Sequence, residues 1–335
     1  MSSATRELNY SLAINEALHQ AMKADGRVLL LGQGVKSPWY VGNTTRGLLK
    51  RFGARRVIDT PVSENAVTGA AVGAALTGMR PVVVHPRMDF MLYSFDPIIN
   101  QAANWHYMSG GISPVPVVFW GIVNRGGEQA AQHSQALHSM FCHVPGLKVV
   151  APSCPSDAKG LMLAAIFDDN PVVFVDDRWL YGATEPVPKD PYRTQIGKGL
   201  IRRTGSDVTL IAWSGMVPVA LEAAALAEHD GVSCTVVDLR TLKPFDRELV
   251  MSSAAATGRV IVCDNGWKSG GWGAEIVATI VEAGVPLTRA PRRVALLDAP
   301  AGAARTLEEG YYPTSETILD AIRSMDPAWS RSHWT

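Results

Sequence analysis

The sequence predicts an α/β protein built from two doubly wound domains. Short apolar runs rich in Val, Leu and Ile recur along its 335 residues and alternate with helical patterns, as in chains that form parallel sheets. The runs are nearly continuous in apolar residues, which is typical of strands covered by helices on both faces. A chain of this length accommodates about two domains of ordinary size.

The first half of the chain contains four apolar runs that we interpret as buried strands, with helical stretches between them. The second helix is expected to begin after Ser156, because serine is a preferred N-cap residue. The predicted strands are 28–32, 81–84, 115–119 and 147–151, and the predicted helices are 11–22 and 157–167.

A polar, proline-bearing segment separates the two halves and has the composition of an interdomain linker. We therefore predict a first domain at 1–185, a linker at 186–198 and a second domain at 199–335. In the second domain the α/β alternation starts again. It predicts strands at 207–212, 234–239, 259–264 and 293–297 and a helix at 217–229.

Composition argues against several classes of function. Lysine and arginine together number 31, as do aspartate and glutamate, and there is no basic block, so neither nucleic acid nor an anionic membrane surface is expected as a partner. No apolar stretch is long enough to span a bilayer, and the first residues lack the apolar core of a signal peptide. The four cysteines form no Cys-x-x-Cys pair, which favours a reducing compartment. We expect a cytoplasmic protein.

Two short runs are the most informative part of the chain. In residues 59–69, Asp-Thr-Pro-Val-Ser-Glu-Asn-Ala-Val-Thr-Gly, Glu64 stands at the predicted start of a helix rich in small residues. By itself such a carboxylate complements the helix dipole, which contributes about 0.3–1 kcal/mol. The second run is Gln-His-Ser-Gln at 132–135. In this order the two runs resemble the beta subunit of the thiamine-diphosphate-dependent first component of 2-oxoacid dehydrogenases, the pyruvate and branched-chain dehydrogenase family. The similarity extends from Leu8 to Ile322.

The resemblance implies the type of each domain and a role for Glu64. The first would be the thiamine-diphosphate pyrimidine-binding domain, and the second a transketolase C-terminal-like domain. In this family the glutamate at this position hydrogen-bonds a ring nitrogen of the aminopyrimidine and favours the tautomer that deprotonates the thiazolium carbon. That role needs a fixed acid in a dry pocket.

The resemblance also implies roles for residues around the expected pocket. Phe90, which would otherwise be a core aromatic, is expected to form a wall of the pyrimidine pocket, and Met88 beside it is expected to contact the cofactor. His133 follows a glycine-bearing loop and is expected to act in acyl handling, because imidazole can donate hydrogen bonds and carry charge near neutral pH. From the residues alone, His133 could equally be a satisfied loop histidine.

A monovalent cation, usually potassium, is bound in the family by backbone carbonyls, which leave little trace in side chains. From the residues alone, 168–171 is a polar turn that ends a helix. Matched position by position, the expected ligands are Val117, Ala165, Asp168 and Asn170.

Gly69 and Gly73 lie four residues apart on one face of the helix that begins near Glu64, with Ala70 and Ala74 beside them. Small residues at this spacing let another backbone approach closely. We expect them to serve tight helix packing, against a partner subunit, with no catalytic role.

The chain departs from the family around the expected substrate entrance. Gln33 replaces a residue that is usually acidic and belongs to a polar channel between active sites. His85 and Arg87 make their segment more basic, Trp120 stands where dehydrogenases usually have arginine, and Asp176 shortens a common glutamate. An unusual donor or acceptor is therefore expected. The candidates for the substrate pocket are His85, Arg87, Trp120 and Gln132.

No segment resembles the Gly-Asp-Gly…Asn motif that holds Mg²⁺ and the diphosphate in such enzymes. The resemblance therefore implies an alpha subunit that supplies this half of the site, in an α2β2 heterotetramer, because an unneutralised diphosphate would not stay bound in a dry cleft. The implied cofactors are thiamine diphosphate, Mg²⁺ on the partner and K⁺. A lipoyl acyltransferase core is a further candidate partner.

Three functions remain compatible with the sequence. The first is the beta subunit of a decarboxylating 2-oxoacid dehydrogenase that passes its acyl group to lipoamide. The second is a carboligase or ketol transferase that keeps the cofactor and uses an aldehyde, ketone or sugar as acceptor. Trp120 and the basic pair of His85 and Arg87 favour this second function. The third is a non-catalytic scaffold, against which the presence of Glu64 and His133 argues.

Overall fold

The computed structural model describes residues 5–37, 40–326 and 329. They divide into two compact units. The first contains the chain up to Arg125 together with Gln132–Ile196, and the second contains Gly126–Ala131 and the chain from Gly197 onward. The division after Ile196 lies inside the segment predicted as a linker, although the first residues of that segment belong to a strand.

The described residues of the first unit form eight strands. They are β1 (Thr5–Asn9), β2 (Val28–Gly32), β3 (Val57–Asp59), β4 (Arg80–His85), β5 (Val118–Val123), β6 (Lys148–Val150), β7 (Val172–Asp177) and β8 (Thr184–Pro188). Six of them pair in parallel, in the order β6-β7-β5-β4-β2-β3. β1 and β8 form a separate antiparallel pair. All residues of β5 and β7 are buried, as expected for parallel strands covered on both faces.

The helices of the first unit lie between these strands. They are α1 (Tyr10–Ala24), α2 (Leu48–Phe52), α3 (Glu64–Leu76), α4 (Ala103–Met108), α5 (His138–His143) and α6 (Pro155–Ile166). Short 3-10 helices form at Met88–Ser94 and Arg178–Leu180, and a π-helix forms at Asp96–Ala102. α1 and α6 share one apolar core with β2, β4, β5 and β7. Asn9 caps α1, since its side chain accepts a hydrogen bond from the amide of Leu12 at 2.8 Å.

Two predicted boundaries are wrong. The strand expected at 115–119 is displaced toward the C-terminus, because β5 begins at Val118, which pairs with Val82, and Pro116 has no amide hydrogen to donate to a ladder. Helix α6 begins at Pro155 with Cys154 as N-cap residue, two residues earlier than expected. Proline suits the first helical position, and the amide of Ser156 donates instead to Glu185 Oε1 at 2.6 Å.

The second unit repeats the α/β alternation. Its strands are β9 (Leu200–Arg203), β10 (Val208–Ala212), β11 (Cys234–Asp238), β12 (Thr241–Lys243), β13 (Val260–Trp267) and β14 (Arg292–Leu296). Its helices are α7 (Met216–His229), α8 (Arg247–Thr257), α9 (Trp272–Glu282), α10 (Arg305–Glu308) and α11 (Ser315–Arg323). The sheet order is β14-β13-β10-β11-β9; β9 pairs antiparallel with β11, and the other pairings among the described residues are parallel. The predicted α/β class is confirmed for both units. Among the described residues, no helix is both long and apolar enough to cross a membrane.

Candidate active site

A cleft of about 290 Å³, its open mouth included, lies at the carboxyl ends of β2, β3 and β4 in the first unit. Binding sites of open parallel sheets collect at this edge, because the loops and helix N-termini that follow the strands converge there. The lining residues are Gly32, Gln33, Thr60, Pro61, Ser63, Glu64, Val67, Val83, Val84, His85, Pro86 and Phe90.

Glu64 is the first residue of α3 and places its carboxylate in this cleft. The preceding Ser63 makes no side-chain capping bond. Glu64 is the acidic residue of the first turn, where a negative charge complements the helix dipole. The residue is partly buried, and Val67, Val83 and Val84 surround the cleft with apolar surface. The structure therefore places an acid in an apolar cleft, as the sequence predicted. Its catalytic role stays a prediction.

Phe90 lines the cleft, and the imidazole ring of His133 packs against the ring of Phe90. The two rings meet edge to face, with centroids 5.3 Å apart and planes at 90°, an arrangement that aromatic pairs favour. Both side chains are partly buried. The structure thus brings together Glu64, Phe90 and His133, which were selected from separate runs of the sequence.

Asp89 holds the segment that carries His133, although no motif in the sequence indicates this role. Its Oδ1 accepts hydrogen bonds from the amide and from the side-chain nitrogen of Gln135, at 3.1 and 2.8 Å. Burial raises the pKa of the Asp89 carboxyl, and the bonds from Gln135 oppose this shift. The only available signal was its place between Met88 and Phe90, in a run already assigned to the pocket.

The prediction that Met88 contacts the cofactor is wrong in this structure. Met88 is fully buried and does not line the cleft. Its side chain packs on the backbone of Gly121, where an added Cβ would lie 3.2 Å from Met88 Cγ and 2.5 Å from Met91 Sδ. Met88 therefore packs against β5, where the missing side chain of Gly121 leaves room for it.

His85 lines the cleft as predicted, but it does not add positive charge there. Only 2% of the residue is exposed, and burial lowers the pKa of its imidazole to about 4. Its Nε2 lies 3.3 Å from Thr68 Oγ1, and the Thr68 hydroxyl donates to Ser94 Oγ at 2.9 Å. Thr68 can then only accept from His85, so Nε2 carries the proton of a neutral ring. Of the two residues expected to be positively charged, His85 is therefore neutral and Arg87 remains.

The prediction that Trp120 belongs to the substrate pocket is also wrong. Trp120 is 0% exposed and packs in the core shared with α1 and α6. Its Nε1 donates to Asp176 Oδ2 at 2.9 Å, and the hydroxyl of Tyr181 donates to the same oxygen at 2.7 Å. Burial raises the pKa of Asp176 to about 7. The sequence could not show this, because every residue of β5 is apolar or glycine and either face could have been the inner one.

Arg87 and Gln132 lie beside the cleft rather than in its lining. Arg87 is partly buried and its Nη1 donates to the carbonyl of Pro86 at 2.9 Å. Burial, and then the positive charge of Arg178, lower the pKa of Arg87. Gln132 is exposed. Their roles in substrate binding stay predictions.

The four carbonyls expected to bind a monovalent cation lie around the C-terminal end of α6. Those of Val117 and Ala165 accept from the amides of Val172 and Asp168, and that of Asp168 accepts from Arg80 Nη1 at 2.9 Å. A carbonyl oxygen has a second lone pair for a metal, but the charge of Arg80 opposes a cation there. The potassium site, completed by Asn170, stays a prediction. Across the described residues, no group of three or more His, Cys, Asp or Glu side chains is arranged to hold a metal ion.

Gly69 and Gly73 are exposed on α3. A Cβ added at either position would meet no atom within 4 Å among the described residues. No described residue therefore covers the face that they form. Packing against a partner subunit stays a prediction.

Comparison with known proteins agrees with this geometry. Residues 6–184 match the family model of the transketolase pyrimidine binding domain, and 197–318 match that of the transketolase C-terminal domain. The pyruvate dehydrogenase E1 component subunit beta of Rickettsia conorii is 40% identical over 93% of this chain and 96% of its own length. The acetoin:2,6-dichlorophenolindophenol oxidoreductase subunit beta of Cupriavidus necator is 41% identical over 95% and 97%.

A solved structure described as a split-gene transketolase in an inactive beta4 tetramer has the same fold. It aligns with a TM-score of 0.78 over 97% of this chain and 98% of its own, at 23% identity. The fold and the matched domains define a transketolase-like protein. Within that class, the chain belongs to the family of beta subunits of the first component of 2-oxoacid dehydrogenases, which depends on thiamine diphosphate.

Proposed function

We propose that this chain supplies the aminopyrimidine half of the active site of a decarboxylating, acyl-transferring 2-oxoacid dehydrogenase. The observation that supports this most directly is the cleft that places the Glu64 carboxylate and the Phe90 ring on one apolar lining. We assign the pyrimidine-binding domain to 1–185, the linker to 186–198 and the transketolase C-terminal-like domain to 199–335.

The lining of the cleft suits an aminopyrimidine ring. Such a ring is flat, offers apolar faces and has basic nitrogens at its edge. Val67, Val83 and Phe90 provide apolar surface, and Glu64 is the carboxylate of the lining. When bound, thiamine diphosphate supplies the electron sink for decarboxylation. Glu64 would hold a proton against a ring nitrogen, and the apolar walls would keep water from competing for that bond.

We assign His133 to the substrate side of the site. Its contact with Phe90 places an imidazole next to the cleft, where it could donate a hydrogen bond to an oxygen of the substrate that gains negative charge. Asp89 would keep that imidazole in position, because its bonds to Gln135 tie down the same segment. Arg87 and Gln132 are the remaining candidates for contact with the substrate.

We propose that an alpha subunit provides the Mg²⁺ and diphosphate site, in an α2β2 heterotetramer. The cleft lining contains one carboxylate, Glu64, whereas a Mg²⁺ site in such enzymes needs several oxygen ligands. We also propose K⁺ at the carbonyls of Val117, Ala165, Asp168 and Asn170, and a lipoyl acyltransferase core as the acceptor. None of the four cysteines forms a disulfide among the described residues, which supports a cytoplasmic location.

Carboligation remains the alternative, with less support than the sequence suggested. Of the features that favoured it, Trp120 lies in the core and His85 is neutral at physiological pH. Of these three residues, Arg87 alone still supports carboligation, through its positive charge beside the cleft. A non-catalytic scaffold would have no use for an acid inside an apolar cleft.

The function is tested by screening donors and acceptors with the two-subunit enzyme. The chain is co-expressed with its alpha subunit and supplied with thiamine diphosphate, Mg²⁺ and a panel of 2-oxoacids. Carbon dioxide release and acyl transfer to lipoamide are measured, and products are identified by mass spectrometry. We expect decarboxylation that requires the cofactor and acyl-lipoamide as product. Carbon–carbon bond formation without acyl transfer would support carboligation, and no cofactor-dependent turnover would contradict both.

A further inference from the structure

Arg178 occupies a central position at the carboxyl edge of the sheet. It follows β7 directly and begins the short helix Arg178–Leu180. Its Nη2 donates to the backbone carbonyl of Tyr40 and its Nη1 donates to Asn124 Oδ1, both at 2.7 Å. Bonds from a guanidinium to oxygen acceptors are charge-assisted and stronger than neutral ones. One side chain therefore joins the segment after β2 to the segment after β5.

Both of these bonds continue to the lining of the cleft. Tyr40 receives a hydrogen bond on its hydroxyl from Gln33 Nε2 at 3.0 Å. Asn124 donates from Nδ2 to the carbonyl of Pro86 at 2.9 Å. Gln33, which follows β2, and Pro86, which follows β4, both line the cleft. Arg178 itself is not part of the lining, yet it is connected to each of these two residues through two hydrogen bonds.

Two glycines fix the segment that contains Tyr40. Gly34 has a φ of +74°, and an added Cβ would lie 2.2 Å from Cδ1 of the Tyr40 ring. Gly42 has a φ of +61°, and its Cβ would lie 2.3 Å from Cε2 of Tyr181. Only glycine permits this backbone and this close approach. The segment is therefore held by packing as well as by Arg178.

We propose that Arg178 is a positioning residue that sets the spacing between Gln33 and Pro86 in the lining of the cleft. Such spacing matters because a displacement of about 1 Å in a site can cost about 10²-fold in rate, and residues outside a site fix the groups inside it. That the ligand of the cleft is thiamine diphosphate rests on the proposed function. The positioning role of Arg178 rests on its hydrogen bonds alone.

The first test uses no ligand. Backbone amide hydrogen exchange is measured by mass spectrometry on the two-subunit protein carrying Arg178→Met. We expect faster exchange in both 33–36 and 85–90, with little change elsewhere. The matched control is Arg55→Met, because Arg55 is exposed and outside the network. Unchanged exchange in either segment would overturn the inference.

The second test measures coupling across the cleft. Tyr40→Phe breaks the bond to Gln33 and keeps the backbone carbonyl that Arg178 binds, whereas Asn124→Ala breaks both the bond to Pro86 and the bond from Arg178. We expect each to weaken thiamine diphosphate binding by about threefold, and Arg178→Met by about tenfold, as for hydrogen bonds to neutral and charged groups. The dissociation constants, measured by calorimetry with Mg²⁺, should be non-additive for Tyr40→Phe with Asn124→Ala. This coupling should vanish when Arg178→Met is also present.

Arg178→Lys separates position from charge. A lysine keeps the charge, but its single ammonium cannot reach both acceptors with the geometry of a guanidinium. We expect it to recover little of the lost affinity. Full recovery by lysine, additive effects of the two outer substitutions, or a lower melting temperature with an unchanged dissociation constant would each contradict the positioning role. Failure of the wild-type two-subunit protein to bind the cofactor would contradict the proposed function, and hydrogen exchange would still decide the role of Arg178.

Discussion

The ring of Phe90 meets the imidazole of His133 edge to face, with centroids 5.3 Å apart. Because Phe90 also lines the cleft that contains Glu64, this single contact connects the acid proposed to act on the cofactor with the histidine proposed to act on the substrate. Substitution of Glu64 should therefore affect cofactor activation, and substitution of His133, on the other side of the Phe90 ring, should affect the substrate steps.

Glu64→Gln should leave the fold intact and remove most turnover. Glutamine has the shape of glutamate but cannot share an acidic proton with a ring nitrogen, and general acid–base help contributes about 10²–10⁴-fold. We expect exchange of the thiazolium proton, followed by NMR in the two-subunit enzyme, to slow by about 10²-fold or more. Glu282→Gln, at an exposed position of α9, is the control. Wild-type exchange in Glu64→Gln would show that the assigned role is wrong.

His133→Ala should slow the substrate steps and spare cofactor activation. An imidazole beside the reacting carbon can lower the barrier by about 10²–10⁴-fold, whereas thiazolium proton exchange involves no substrate. Single-turnover kinetics and proton exchange on the same variant compare the two. The exposed His143 offers a matched control, His143→Ala. Equal losses in both measurements, or none in either, would indicate a histidine that only holds its loop.

The isolated chain should be inactive and bind thiamine diphosphate weakly. Its cleft contains the lining that we assign to the aminopyrimidine, but the diphosphate needs cationic neutralisation that we assign to the alpha subunit. Calorimetry on the chain with and without its partner, at equal Mg²⁺, measures the difference. Binding by the chain alone that is as tight as by the two-subunit protein would refute the half-site proposal.

Gly69→Ala and Gly73→Ala should have opposite effects on the chain and on its assembly. Neither added Cβ meets an atom of the described part of the chain within 4 Å, and alanine is favoured over glycine inside a helix by about 1 kcal/mol. The isolated chain should therefore melt at the same or a higher temperature. If a partner subunit packs on this face, the same methyl groups should weaken association, measured by analytical ultracentrifugation. Unchanged association would place the interface elsewhere.

Asp176 should make the stability of the first unit depend on pH. Burial raises its pKa to about 7, from about 4 in an unfolded chain. The folded state then binds more protons between these values, so stability falls as pH rises from about 4 to about 7 and is lowest above that range. Asp176→Asn removes this dependence while its side-chain oxygen still accepts from Trp120 and Tyr181. The melting temperature of the variant relative to wild type should therefore increase between pH 4 and pH 7. A constant difference would mean that Asp176 is ionised throughout.

Local patterns in the sequence determined the α/β class, the two units and the place of Glu64. Alternating apolar runs and helical stretches predict parallel sheets because each strand must be covered on both faces. Glu64 was identified because a helix start, a preceding proline turn and the family motif all lie within a few neighbouring residues. Phe90 and His133 were found in the same way, each within its own short run.

Tertiary structure alone decided which of the remaining candidate substrate-pocket residues line the cleft. The interior position of Trp120 depends on which face of β5 turns toward α1 and α6, and a strand that is apolar on both faces carries no periodic signal of that choice. The neutral state of His85 depends on its desolvation by chain segments distant in sequence. The bonds of Asp89 to Gln135, and of Arg178 to Tyr40 and Asn124, likewise join separate strand ends. Such contacts exist only once the sheet has brought its carboxyl edge together.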